Sequence, residues 1–91
     1  MEIQHSDDGK RGSWKAVEGA TEAGLMDYVW AGEDKFIIEH THGNPEFKGV
    51  GMKLLEKAVA FAREKNIKII PLCPFAKKMF ERHEDIRDVL A

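Results

Sequence analysis

A chain of 91 residues carrying 14 basic and 16 acidic side chains, with a formal charge of −2, has no electrostatic footprint for DNA, RNA or an anionic membrane surface. Its single cysteine cannot close an internal disulfide, and no apolar run approaches the roughly 20 residues that cross a bilayer. At 43% hydrophobic and 33% charged, the chain reads as a single soluble domain with room for one sheet and two or three helices.

The first residues, Met1-Glu2-Ile3-Gln4-His5-Ser6-Asp7-Asp8, lack the basic and then apolar regions of a secretory leader, so cytoplasm is the expected location. A short apolar-polar stretch around Ile3 runs into Asp7-Asp8-Gly9-Lys10, an Asp-Gly hairpin signal. Ser13 to Val17 alternates as a half-buried strand does, and residues 18–22 make the next connection. Leu25 to Trp30 is a third strand. Residues 31–34 turn the chain again, and Lys35 to Thr41 forms a fourth strand rich in aromatic and β-branched residues. Three hairpin-like links in succession predict an antiparallel meander.

The periodicity then changes. Residues 42–46 carry loop chemistry, with Pro45 disfavouring helix at Asn44. From Met52 onward, Met52, Leu55, Val59 and Ala62, joined by Leu54, Ala58 and Phe61, recur at helical spacing while Lys53, Glu56, Lys57, Arg63 and Glu64 take the other surface. Asn66 suits the end of that helix. Residues 67–72 follow as a strand apolar on both faces, which places it inside the sheet. Pro74 fits the first position of a short helix over 75–82 with Phe75, Met79 and Phe80 inward, and a last turn over 84–90 packs Ile86, Val89 and Leu90 on the body.

The stretch from Phe47 to Phe75 organises the rest. Lys48-Gly49-Val50-Gly51 is a glycine turn opening a helix, which leaves unpaired N–H groups pointing outward at the positive end of the helix dipole and so suits phosphate. With Phe36-Ile37-Ile38 as a strand before it, the unit is β-loop-α-β. Parallel strands joined in this way end on one edge of the sheet, so the glycine turn and Cys73 are expected to face a common crevice.

The segment KLLEKAVAFAREKNIKIIPLCPFAKKMFE, preceded by FIIEHTHGNPEFKG, resembles the small single-domain proteins of the GNAT superfamily of N-acetyltransferases, the YjdJ-like group. By motif the resemblance covers about half of the chain, and by element order nearly all of it. It implies a mixed α/β (α+β) fold, acetyl-CoA or CoA bound where two parallel strands splay, and acetyl transfer to an unidentified amine. The cofactor contacts it implies are Thr41, His42, Lys48, Gly49, Val50, Gly51, Met52, Lys53 and Phe75. The turn departs from the family pattern of a basic residue followed by Gly-x-Gly-x-Gly, being about two residues shorter. Each amide lost from a pyrophosphate site removes a charged hydrogen bond of about 1.5–3 kcal/mol, unless the helix starts earlier.

Members of the resembling group carry a cysteine in the Pro-Leu-Cys-Pro-Phe segment that is a candidate acetyl acceptor, and Cys73 is the matching residue. As a residue type, a lone cysteine is more often a small buried apolar group. Its place before a Pro-initiated helix nevertheless lets the helix N-terminus favour negative charge on the sulfur. Two routes stay open: transfer through an acetyl-thioester on Cys73, or direct attack of an amine on the bound donor. His40 is the second catalytic candidate, because alternation from Phe36 and Ile38 turns it inward, so that it or His42 pairs with Cys73 or accepts the amine's proton. The ordinary reading is a hydrogen-bonded strand-end His40 and a solvated His42. A metal at His40-Thr41-His42 lacks a second ligand pair and is not expected. A non-catalytic acyl-CoA-binding module with a shortened loop is the alternative to an enzyme; monomer or weak homodimer, with no nucleic-acid or membrane partner, is the expected state.

Overall fold

The computed structural model describes residues 1–91. Its elements are strands β1 (Glu2–Asp7), β2 (Arg11–Glu18), β3 (Thr21–Trp30) and β4 (Lys35–Gly43), helix α1 (Val50–Lys65), strand β5 (Lys68–Pro71), helix α2 (Pro74–Arg82) and a 3₁₀ turn (Glu84–Val89). The strands form one sheet in the order β1-β2-β3-β4-β5, the first four antiparallel and β5 parallel to β4. This is the meander and the β-loop-α-β unit that the hairpin signals and the change of periodicity predict. No helix is long and apolar enough to cross a membrane.

One face of the sheet carries the core. Trp14, Ala16, Met26, Tyr28, Phe36 and Ile38 meet Leu54, Leu55, Ala58, Val59 and Ala62 of α1 in a single buried cluster. Helix α1 begins at Val50, two residues before its apolar spacing starts, because Gly49 adopts φ 73° and serves as the N-cap. At its other end Asn66, with φ 57°, caps the helix as expected, its N–H donating to the Ala62 and Arg63 carbonyls. The start of α1 lies very close to the sheet. A Cβ at Gly24 would stand 2.4 Å from Val50 Cγ1 and 2.9 Å from the His42 carbonyl oxygen, so only glycine lets helix and strand approach this far.

The placement of β5 corrects one expectation. It is an edge strand, not an interior one. Its outer side is covered at a single point, where Leu90 bridges Ile69 and the Ala91 N–H donates to the Ile69 carbonyl at 2.9 Å. Ile69 is buried while Ile70 and Pro71 are only partly so, because helices and the last turn, with no further strand, supply the cover. In α2, Phe80 and Ala76 are buried and Phe75 and Met79 partly buried.

Candidate active site

Strands β4 and β5 pair only from Lys35↔Lys68 to Ile38↔Pro71. Beyond that point the Leu72 and Cys73 N–H groups both donate to one acceptor, the Ile38 carbonyl, each at 3.1 Å, and the chain leaves the sheet to start α2. Residues 39–43 of β4 therefore continue with no strand on that side, an open edge whose main-chain groups can pair with an extended guest.

Two helix starts meet at this edge. The first helical bond of α1 runs from the Lys53 N–H to the Gly49 carbonyl at 3.2 Å, so the N–H groups of Val50, Gly51 and Met52 precede it and have no acceptor within the helix. In α2 Cys73 is the N-cap and Pro74 the first helical residue. Neither helix has an acidic residue in its first turn, whereas the 3₁₀ turn has Glu84 and Asp85 there. The positive ends of both dipoles are thus left for an outside anion, with Lys48 and Lys53 exposed beside the first. Phe75 joins the two starts: a Cβ at Gly51 would lie 2.7 Å from its ring.

The sulfur of Cys73 is buried and held from two sides. It accepts the Ala76 N–H at 3.3 Å and lies 3.3 Å from the Thr41 hydroxyl. Neither histidine reaches it. His40, expected to turn inward, projects from the opposite face of the sheet with its side chain 64% exposed, its ring Nδ1 3.2 Å from Asp27 Oδ1. His42 stands next to it, ring centroids 6.2 Å apart and nearly parallel.

A β-bulge causes this exchange. Tyr28 pairs with Ile38 and Asp27 with His40, which leaves Glu39 as an extra residue on β4. One added residue reverses the alternation, so Glu39 and His40 both reach outer-face partners, Arg11 and Asp27, and Thr41 takes the inward position. Strict alternation could not foresee this; the sequence shows only an apolar run, Phe36-Ile37-Ile38, ending in the adjacent polar residues Glu39 and His40.

In place of the crevice expected between the glycine turn and Cys73, the Phe75 ring lies against Gly51. The surface hollows lie elsewhere: beside Asn66 and Asp88, beside Asp7 and Trp30, and between Pro71 and Leu90. At the far end of the sheet a polar network went unread in the sequence. Asp7 accepts from Tyr28 Oη and from Trp30 Nε1, the latter at 2.8 Å, and its other oxygen accepts the Gly9 N–H at 2.7 Å. His5 Nε2 lies 2.7 Å from the Tyr28 hydroxyl and its ring stacks on Trp14. Desolvation, with the bond to Asp7, pushes the Tyr28 phenol upward. The Asp7 carboxyl is raised by desolvation but more than offset by the Tyr28, Gly9 and Trp30 bonds and the nearby His5, and falls below its ordinary range.

A helix-covered sheet whose last parallel strands part beside a glycine-started helix is the arrangement of an α+β acetyltransferase. Residues 13–89 match the model of the GCN5-related N-acetyl-transferase family, and the chain belongs to that family, whose members transfer acetyl groups and generally take them from acetyl-CoA. Among solved structures, the NMR solution structure of a GCN5-like protein from Staphylococcus aureus, provisionally described as an N-acetyltransferase, is similar to this chain. The two are 33% identical, the match covers 99% of this chain and 87% of that one, and the TM-score is 0.76. No curated protein matches the chain by sequence.

Proposed function

We propose that the chain, as one acetyltransferase domain over 1–91, transfers an acetyl group from acetyl-CoA to an amine by way of Cys73. The observation that carries this reading is a buried sulfur at the start of α2 beside the open edge of β4, with the start of α1 joined to that of α2 through Phe75 and no acidic residue in the first turn of either helix. The donor supplies an activated acyl thioester. The amides of Val50, Gly51 and Met52, with Lys48, Gly49 and Lys53 around them, receive its pyrophosphate. The main chain at Thr41 and His42 offers hydrogen bonds to its extended arm. For the thioester to reach Cys73 the Phe75 ring must swing off Gly51, which makes that ring the gate of the site.

In the transfer, the Cys73 sulfur attacks the thioester carbonyl, a new S–C bond forms, the C–S bond to CoA breaks, and the Cys73 proton passes to the departing sulfur, so that CoA leaves as its thiol. The amine then attacks the acetyl–Cys73 carbonyl, the C–S bond breaks, and the amine's proton passes to the sulfur. The Ala76 N–H and the Thr41 hydroxyl hold the sulfur through both steps. His40 takes no part in activating Cys73, because the bulge has carried it to the other face.

The Phe75 ring against Gly51 favours a second reading, a CoA-binding module without turnover. Calorimetry with acetyl-CoA, followed by mass spectrometry of the protein, separates the two. Binding together with one acetyl group on Cys73, absent in Cys73→Ala, supports the enzyme. Binding with neither an acetyl group on Cys73 nor an acetylated added amine supports the module, acetylation of the amine by Cys73→Ala at an undiminished single-turnover rate leaves only direct transfer, and no binding overturns both.

A further inference from the structure

The bulge that turns Thr41 inward also gathers, on the outer face, a set of side chains with metal-ligand chemistry. Glu39 and His40 are adjacent in sequence, and in an unbroken strand they would point to opposite faces. Here both stand over β3 beside Asp27, and one ligand atom from each of Asp27, Glu39 and His40 lies within 4.8 Å of the others. The spacing of the closest pair is informative. Asp27 Oδ1 and His40 Nδ1 are 3.2 Å apart. Two ligands on a divalent transition metal at bond lengths of about 2.0–2.2 Å stand about 3.0–3.5 Å apart at cis-octahedral or tetrahedral angles. That pair, joined to each other by a hydrogen bond, stands at a separation that a shared ion also fits, on main chain fixed by the ladder and by the bond from the His40 N–H to Asp27 Oδ1 at 3.0 Å.

Glu39 is the third ligand, its carboxylate within 4.8 Å of the other two ligand atoms. It is tied to Arg11 at 3.2 Å, but the Arg11 side chain is 69% exposed, and a pair that open to water holds weakly. His42 is nearly parallel to His40, with ring centroids 6.2 Å apart, and lies outside the trio. A mixed imidazole and carboxylate set of this kind suits a borderline divalent ion such as Zn²⁺, with positions left to water, rather than Ca²⁺ or Mg²⁺, which take oxygen alone.

We infer that Asp27, Glu39 and His40 form a binding site for a divalent transition-metal ion on the face of the sheet opposite Cys73. The site is independent of the acetyl-transfer reading, since it touches neither the glycine turn nor the sulfur.

The chain supplies its own controls in four histidines, of which His5 and His83 lie away from the cluster. In an NMR titration of the full chain with Zn²⁺ alone, the ring signals of His40 move and those of His42 follow, while those of His5 and His83 stay in place. The same shifts appear in Cys73→Ala. Even outer-shell partners cost roughly tenfold or more in metal affinity when removed, so Asp27→Asn and Glu39→Gln each weaken binding by at least that factor, and His40→Ala abolishes the response. Arg11→Ala, which frees Glu39, tightens binding. The inference is overturned if the His40 ring is unmoved at millimolar Zn²⁺, if all four histidines respond alike, or if His40→Ala binds as the parent does. Asp27, Glu39, His40 and Arg11 lie outside the buried core, so these four variants keep the fold on which the comparison depends.

Discussion

The two ends of the sheet are built from opposite materials. Where β3 meets β4 at Trp30↔Phe36, the space under α1 is packed with rings: Trp14, Tyr28, Phe36 and Phe61 have centroids 4.7 to 6.1 Å apart, with His5 stacked on top. Where β3 meets β4 at Gly24↔Gly43, side chains are removed instead, and Gly49 and Gly51 continue the pattern into the helix. The ring end ties His5, Tyr28, Asp7 and Trp30 into one polar network. The glycine end leaves helix amides and a strand edge without main-chain partners and sets a buried sulfur beside them. The packed rings and the candidate site are thus separated along the six residues of β4 from Phe36 to Thr41.

That contrast can be broken or sharpened by substitution. The largest effect is expected from Phe36→Ala at the filled end, which opens a cavity among rings that cannot collapse. Denaturant unfolding should show a loss of about 3–5 kcal/mol. Gly24→Ala tests whether the emptied end also depends on close packing. Its new methyl must displace Val50 and the main chain at His42, so a loss of about 1–3 kcal/mol is expected, together with weaker binding of acetyl-CoA in calorimetry. A neutral Gly24→Ala would show that the start of α1 can lift at little cost.

Tyr28→Phe keeps the ring and removes the hydroxyl between Asp7 and His5, with an expected cost of about 1–2 kcal/mol in the same unfolding measurement. Thr41→Ala is expected to leave stability within about 0.5 kcal/mol while slowing acetylation of Cys73, whereas Thr41→Ser retains the rate because it keeps the hydroxyl. If Ala and Ser behave alike, the contact with sulfur has no role in positioning.

The smallest effect is one of pH. Desolvation lowers the folded-state pKa of His5, although the Asp7 charge pulls it upward. A base depressed in the folded state binds its proton more readily when unfolded. Its contribution is complete above the ordinary value of 6.5 and declines as the pH falls from there toward the folded value. Asp7, also depressed, adds a second loss at lower pH, below its ordinary 3.8. Unfolding curves of His5→Gln, compared with the parent, should lack the first decline and keep the second.

Most of this architecture could be read from the sequence. The Asp-Gly turn, the apolar stripe of α1, Asn66 and Pro74 each carry a local physical signal and lie where it puts them, and the four strands come in the expected order, although β3 begins at Thr21, inside the expected connection over 18–22, and β4 runs on to Gly43, inside the expected loop over 42–46. The details that decide the site were less legible because they depend on partners distant in the chain. The bulge at Glu39 arises from pairing with β3, which alternation within β4 cannot register, and it exchanges His40 for Thr41 at the sulfur. Asp7 reads locally as a turn residue, and only the fold brings Tyr28 and Trp30 to it. The edge position of β5 was hidden because helices can cover both its faces as effectively as strands can.

The Ile38 carbonyl, shared by the Leu72 and Cys73 amides at 3.1 Å each, has a consequence for motion. A three-centred acceptor grips each donor less firmly than a ladder bond does, so these two amides should take up deuterium well before those of Phe36 or Ile69. Opening can then start at this oxygen and spread only toward the free edge, leaving the ring-packed end protected. The protein can breathe at its seam without approaching the unfolded state.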